Sequence, residues 1–309
     1  MMGVDFGLAL VESHPKSHLT KWMDDLDVLL PKLEGHFKSL WMTDHLFWKD
    51  LYTYEAWTVL SFLAARFPRF DVGPMVLGQS YRNPALLAKM AVTLQVFSQG
   101  RFIMGLGAGW KEDEYSAYNY PMPKAGIRLE QLEDTIEICK RLWTQPGKVS
   151  YVGKHYAIHE AILEPKPDPV PPIVIGVAGD RALKVAAKYA DWWNISDAPF
   201  HRFHERWSFL KQHCESIGRD PNTIRRTWFG RVVVGKNQAE VDKLATSRTL
   251  TQYTTENSFI GTPAQIVEQM APFVEAGTDY FMIDIVGLPN DDILGMLLEA
   301  VIPGVQKIK

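Results

Sequence analysis

From residue 4 to residue 301 the chain alternates short apolar runs with amphipathic stretches of helical spacing, and this alternation limits the fold more than any other feature. The apolar runs fall at 4–10, 39–43, 70–77, 101–104, 173–175, 192–195, 227–234 and 280–286. Helical patterns follow them at about 17–34, 54–66, 83–97, 127–143, 182–190, 200–217, 238–247 with 263–277, and 291–301. Parallel strands need long crossovers, so strand-then-helix repetition calls for a parallel sheet. Eight such units in 309 residues fit one (β/α)8 TIM barrel over the whole chain, 1–309, better than an open doubly wound sheet, which shares the alternation. Asn83-Pro84 is a strong helix start, and Thr262-Pro263-x-Gln265 reads as a capping box. Residues 144–172 break the pattern with Pro-Gly, a hairpin-like VSYVGKHYAI and the proline-rich EPKPDPVPP. They read as an insertion after the fourth unit and not as a domain boundary.

Composition narrows the function classes. With 46% hydrophobic and 22% charged residues the chain fills a globular core. A formal net charge of −3 argues against a nucleic-acid partner. Cys139 and Cys214 have no metal-ligand spacing and read as reduced thiols of a cytoplasmic protein. No leader pattern and no apolar run of membrane-spanning length is seen, so no membrane partner is expected.

The chemistry should lie where strands end, because barrels of this kind carry their sites at the carboxyl rim. The stretch GRFIMGLGAGWKEDE (100–114) is the most telling such end. Its glycines stand two apart and follow a fourth strand, which does not match the G-x-G-x-x-G dinucleotide fingerprint. It points to a backbone turn lying against a flat ligand. Other polar residues at strand ends are Asp44 and His45, then Gly78–Ser80, Glu114 one helical turn beyond Trp110, Gly176 to Arg181, and Asn194 to Asp197. His45 is the candidate for proton chemistry, since imidazole titrates near neutrality; a structural or surface histidine is the alternative. Gly-Val-Ala-Gly-Asp-Arg (176–181) precedes a helix and reads either as an anion site or as an ordinary turn capped by Asp180. No metal site is expected: His155 and His159 stand four apart but in the hairpin region, without H-E-x-x-H. Neither a G-x-S-x-G elbow nor a Walker loop is present.

Taken in order, SLWMTDHLF, YRNPALLAKMAVTLQVFSQGRFIMGLGAGWKEDEY, RLEQLEDTIEICKRLW, GKHYAI, PPIVIGVAGDRALKVAAKYADWWN and GTPAQIVEQMAPFVEAGTDYFMI resemble the luciferase-like monooxygenase superfamily, in particular its coenzyme F420-dependent oxidoreductases. The resemblance spans nearly the whole chain. It implies a TIM barrel with a flavin-type cofactor at the carboxyl rim. By position it implies catalytic roles for Asp44 and His45. It places a non-proline cis peptide at Met75-Val76 behind the ring, Gly107, Ala108, Gly109 and Trp110 in the ring-binding turn, and Gly176, Val177, Ala178, Gly179, Asp180 and Arg181 in the phosphate turn. Val177 departs from the Gly-Gly often found in relatives. Trp110 stands where the sugar-phosphate dehydrogenase branch has Glu, so that branch's substrate does not carry over.

The resulting expectation is hydride transfer between coenzyme F420 and a small organic substrate, with Trp48, Tyr52, Trp110 and Tyr115 as an apolar wall. The alternatives are an FMN-dependent two-component monooxygenase served by a separate reductase, and a flavin-binding barrel without catalysis. A homodimer packed through residues 54–66 and 83–97 is also expected.

Overall fold

The computed structural model describes residues 3–10, 13–14, 21–48, 52–247 and 256–308. The central sheet has ten strand segments, of which eight form the barrel: β1 (Asp5–Leu10), β2 (Ser39–Met42), β3 (Asp71–Pro74), β4 (Met104–Gly107), β5 (Ile173–Gly176), β6 (Trp192–Ser196), β7 (Arg225–Val234) and β8 (Tyr280–Ile285); the other two are Leu77–Gly78 and Phe259–Gly261, which pairs with β7. All their pairings are parallel, in the order β3-β2-β1-β8-β7-β6-β5-β4. The two ends of this path meet. The Val72 N–H donates to the Arg101 carbonyl and the Ile103 N–H to the Val72 carbonyl, both at 2.9 Å. Beyond a cis peptide at Met75-Val76, the short segment Leu77–Gly78 continues β3 and pairs with Leu106 and Gly107. The sheet is therefore a closed TIM barrel and not an open one, with its third strand in two pieces.

The crossover helices are α1 (Lys21–Leu33), α2 (Ala56–Arg66), α3 (Pro84–Phe97), α4 (Ala125–Thr144), α5 (Asp180–Tyr189), α6 (Phe200–Ser216), α7 (Pro263–Glu275) and α8 (Asp291–Met296). The expected first helix reached back to residue 17, and residues 15–20 lie outside those described. The Asn83 side chain accepts from the Ala85 and Leu86 N–H groups at 3.0 and 3.2 Å, as the Asn-Pro start of α3 implied. Gln265 takes the Thr262 N–H at 2.8 Å in the expected capping box.

One boundary differs in an instructive way. The fourth strand is Met104–Gly107 and not 101–104. Gly105 and Gly107 are strand residues: a Cβ on Gly105 would sit 1.9 Å from the Pro74 carbonyl oxygen, and one on Gly107 2.6 Å from a Val76 methyl. These glycines let β3 and β4 approach closely. Only Gly109, at φ +76°, makes the turn.

The barrel interior is plugged below. Trp41, Ile103, Val174, Tyr280 and Met282 form one buried cluster. The Trp41 indole N–H and the Tyr280 hydroxyl both meet the Ser39 hydroxyl. Arg225 joins Asp5 at 2.9 Å and Asp279 at 2.8 Å across the amino ends of β1, β7 and β8. Outside the barrel, Trp228, Phe259, Phe273 and Phe281 pack edge-on and tilted, with centroids 4.4–6.4 Å apart. Each such buried aromatic contributes about 1.5–3 kcal/mol of burial free energy. With the lower end filled, space for a ligand remains at the carboxyl rim.

The insertion is an antiparallel hairpin, Lys148–Val152 with Ala157–Ile162. Its strands pair with each other and with no barrel strand. The buried Asp134 of α4 fastens it, accepting from the Tyr151 hydroxyl at 2.9 Å and from the His155 and Tyr156 N–H groups at 2.7 and 3.1 Å.

Candidate active site

A cavity of about 430 Å³ opens at the carboxyl ends of β2 to β6. Its floor is Met75, Val76 and Leu77, and its walls include the turn Gly107 to Trp110 and the turn Gly176 to Gly179. Val76 lies between two bare glycines; a Cβ on Gly176 would come within 3.1 Å of it, as one on Gly107 would within 2.6 Å. The side-chain-free strand ends leave a smooth surface suited to a planar ring. No group of three or more His, Cys, Asp or Glu is arranged to hold a metal among the described residues.

His45 stands at the cavity edge after β2. Its Nδ1 is 3.2 Å from both carboxylate oxygens of Glu114, in the short helix Glu112–Ala117. Glu114 is 1% exposed and well supplied with donors. One oxygen accepts the Leu46 and Phe47 N–H groups at 2.9 and 3.2 Å, and the other the Tyr81 hydroxyl at 3.1 Å. The Lys111 ammonium is 3.7 Å away. Burial pushes the Glu114 carboxyl up, but the His45 ring and the two N–H groups outweigh it and hold the group below its usual value. An ionised Glu114 fixes the proton on Nδ1 and leaves Nε2 uncommitted to it. Burial, together with the neighbouring Glu114 charge, pushes the Tyr81 phenol up, so it stays a donor.

Asp44 and His45 follow the end of β2 and take different partners. Asp44 binds the Arg82 guanidinium through two bonds of 2.8 and 2.9 Å and takes the Gly78 N–H at 3.0 Å. Arg82 also reaches Glu55, and against its burial these two carboxylates raise its pKa above the ordinary arginine value. Asp44 thus fixes the segment after the cis peptide to the start of α3.

The apolar wall is partly as expected. His45 packs against two indoles, with Trp48 at 4.9 Å and Trp110 at 5.7 Å between ring centroids and the indoles 6.4 Å from each other. Trp110 lines the cavity and is 65% exposed. Lys111 caps the cluster, its ammonium 4.1 Å from the Phe47 ring centre. Two of the expected wall residues are elsewhere. Tyr115 is buried under Gly109, where a Cβ would lie 1.9 Å from its hydroxyl, and it reaches Ser80 at 3.3 Å. Tyr52 belongs to a small pairing with residues 13–14 and is not among the lining residues.

The second turn is divided in the same way. Val177, Ala178 and Gly179 face the cavity, while Asp180 and Arg181 lie in the first turn of α5 and do not line it. Asp180 is held by Arg206 and is not the cap, which is Gly179. The Val177 N–H donates to the Asn194 carbonyl at 3.1 Å, so it is spent within the sheet. Opposite His45, after β6, Asp197 sits at φ +48° with its carboxyl pushed up to about 6 by burial, against the pull of Arg231.

Glu114, the carboxylate that meets His45, is a candidate site residue to which the sequence assigns no role. Its signal was its place one helical turn beyond the glycine turn; what was lacking was any sign that this turn folds back onto the β2 loop.

A family model described as luciferase-like monooxygenase matches residues 34–259. The phthiodiolone/phenolphthiodiolone dimycocerosates ketoreductase of Mycobacterium bovis (strain BCG / Pasteur 1173P2) is 29% identical over 231 residues, covering 72% of this chain and 59% of that protein. The chain therefore spans less than two thirds of that relative's length. An F420-dependent glucose-6-phosphate dehydrogenase of Amycolatopsis mediterranei (strain U-32) is 22% identical over 297 residues, covering 86% of this chain and 89% of that one. An F420-dependent secondary alcohol dehydrogenase, solved in complex with an F420-acetone adduct, superposes with a TM-score of 0.85 at 18% identity, covering 98% of this chain and 99% of that one. This last likeness concerns the fold.

Proposed function

Because the chain belongs to the luciferase-like monooxygenase family, a family of enzymes, we propose that it is an oxidoreductase passing hydride between coenzyme F420 and the carbonyl–alcohol pair of a small organic substrate. The observation that carries this reading is the His45–Glu114 pair at the edge of a smooth, glycine-walled cavity. The printed activities of the relatives, a ketoreductase and an F420-dependent dehydrogenase, agree with it.

When bound, the deazaflavin would give or take a hydride at C5, chemistry that belongs to the cofactor. Met75, Val76, Gly107 and Gly176 would hold the ring against the floor, and Ala178 and Gly179 at the start of α5 would take the phosphate. Asp44 positions this floor through Gly78 and Arg82 and is not itself in the proton path. His45 would deliver the Nε2 proton to the substrate oxygen during reduction and recover it during oxidation. Glu114 stabilises the charged imidazolium and keeps the Nδ1 proton in place. Trp48 and Trp110 limit water around the ring.

Titrating the purified protein separately with F420 and FMN, by fluorescence and absorbance, tests the cofactor. His45→Ala should keep F420 binding and lose turnover of a carbonyl panel. Tight FMN binding without F420 binding would overturn the reading in favour of the monooxygenase alternative. Binding of F420 with turnover untouched by His45→Ala would remove His45 from the reaction.

A homodimer through α2 and α3 belongs to the same proposal. Both helices expose large apolar side chains, Phe62 on α2 and Leu86, Val96 and Phe97 on α3. Among the described residues no helix is long and apolar enough to cross a membrane.

A further inference from the structure

We propose that Asp197 is a specificity residue whose carboxylate receives a protonated amine of the substrate; this rests on the F420 reading above and names its substrate class as amino ketones and amino alcohols. Ser196, the last residue of β6, lines the same cavity as His45. Strand alternation would send the next side chain outward, toward the helices. At Asp197 the left-handed backbone, φ +48°, breaks that alternation, while its N–H still donates to the Phe229 carbonyl at 2.8 Å. The charged neighbours of Asp197 are interior residues. Phe229 and Met282 belong to the cluster that fills the barrel. Arg231 and Asp284 stand two residues beyond them, on the same strand faces, and are register partners. Besides burial, which raises it, the Asp197 carboxyl feels both charges: Arg231 draws its pKa down and Asp284 pushes it up. The carboxylate therefore belongs with that pair at the barrel mouth, across from His45.

The charges there do not balance. Arg231 places two bonds, of 2.8 and 2.6 Å, on one oxygen of Asp284. Burial and charge alone shift the Asp197 carboxyl; no hydrogen bond among the described residues contributes. Two carboxylates thus face one guanidinium. A half-buried carboxylate without a bonded partner is costly, and a cation against it offsets that cost. Lys111, the cation that lines the cavity, is held by Asp113 at 2.8 Å. The inward face of β6 carries a further unfilled acceptor. Asn194, two residues before Ser196, is fully buried; its Nδ2 donates to the Thr227 hydroxyl at 2.9 Å, and its Oδ1 has no partner. This wall offers acceptors and lacks donors. A protonated amine brings a donor and a positive charge together, whereas a phosphate or carboxylate would be repelled.

The test uses ketones of graded chain length ending in a dimethylamino group, in its neutral isostere isopropyl, or in a carboxylate. With the F420-loaded enzyme at pH 8, above the Asp197 pKa of about 6, kcat/KM for the best amino ketone should exceed that of its isopropyl isostere by roughly tenfold. The carboxylates should be the poorest, and the amine preference should shrink as salt is added. Asp197→Asn, whose side chain also tolerates a left-handed backbone, should bring the amine-to-isopropyl ratio to about one, through KM. Calorimetric titration of the amino and isopropyl alcohols, with and without F420, reads the same preference without turnover. Equal values for amine and isostere in the parent enzyme, or a ratio that Asp197→Asn leaves unchanged, overturns the assignment while turnover of neutral ketones keeps the F420 reading. Absence of F420 binding overturns that reading, and the calorimetric preference then decides Asp197 by itself.

Discussion

Replacing Glu114 by Gln keeps the shape of the side chain and removes its charge, and the surroundings determine how the amide must lie. The oxygen facing the Leu46 and Phe47 N–H groups, at 2.9 and 3.2 Å, must remain an oxygen, because backbone donors cannot turn away. The NH2 group then occupies the position facing the Tyr81 hydroxyl at 3.1 Å and His45 Nδ1 at 3.2 Å. A phenol can rotate to accept. The retained oxygen is equally close to Nδ1, at 3.2 Å, and can still accept its proton, but the NH2 group now opposes that proton from the same distance and no anion remains to stabilise the imidazolium. The expected loss in kcat is about 10²–10⁴-fold, the range for a misplaced general acid–base or a mis-set tautomer. Stability should fall by about 1–3 kcal/mol, for weaker hydrogen bonds to a buried acceptor. Turnover with F420, a thermal melt and nitrogen NMR of the His45 ring measure these separately. A folded variant whose kcat stays within about threefold of the parent would refute the argument that Glu114 acts through His45.

Three further perturbations test other parts of the structure. Gly109→Ala places a Cβ on a left-handed residue and 1.9 Å from the Tyr115 hydroxyl; it should cost about 2–4 kcal/mol and weaken cofactor binding, and an unchanged melt would show that the turn tolerates a side chain. Asp197, with its folded pKa raised to about 6, favours the folded state only while protonated, so that contribution is complete below the ordinary aspartate pKa and is lost as pH rises through 6. Asp197→Asn should therefore stabilise the protein at pH 8 by at most about 3 kcal/mol and have little effect near pH 4; equal melts at both pH values would contradict this. Phe97→Asp with Leu86→Asp should shift sedimentation toward the monomer if α3 packs across a two-fold, and an unaltered sedimentation coefficient would exclude that face.

The barrel was legible because its signals are local and repeated: strand-helix alternation, the Asn83-Pro84 start, the box at Thr262 and Gln265. Placing His45 and the two glycine turns at the carboxyl rim needed only the rule that strand ends carry the site. What failed to show was tertiary. Gly105 and Gly107 looked like turn residues, and only the Pro74 carbonyl 1.9 Å from a Cβ on Gly105 reveals strand packing. Asp44 and His45 stand side by side in sequence, and nothing there tells what either side chain touches. Beyond the end of β2 the two side chains take different partners, Asp44 the Arg82 guanidinium and His45 the carboxylate of Glu114, 69 residues away. Tyr115 looked like a pocket wall, yet the positive φ of Gly109 folds the turn over it.

The filled lower half of the barrel separates what must stay from what can change. Ser39, Trp41, Ile103, Val174, Tyr280 and Met282 come from several strands and meet in one layer. A one-residue slip in any of those strands would turn its inward side chains outward, so the layer locks register for the whole ring. Loops above it can lengthen, or exchange an acid for a tryptophan as at position 110, without disturbing that lock. A lineage built on this barrel can therefore change its substrate by rewriting the rim, while the residues that make it fold remain out of reach of the ligand.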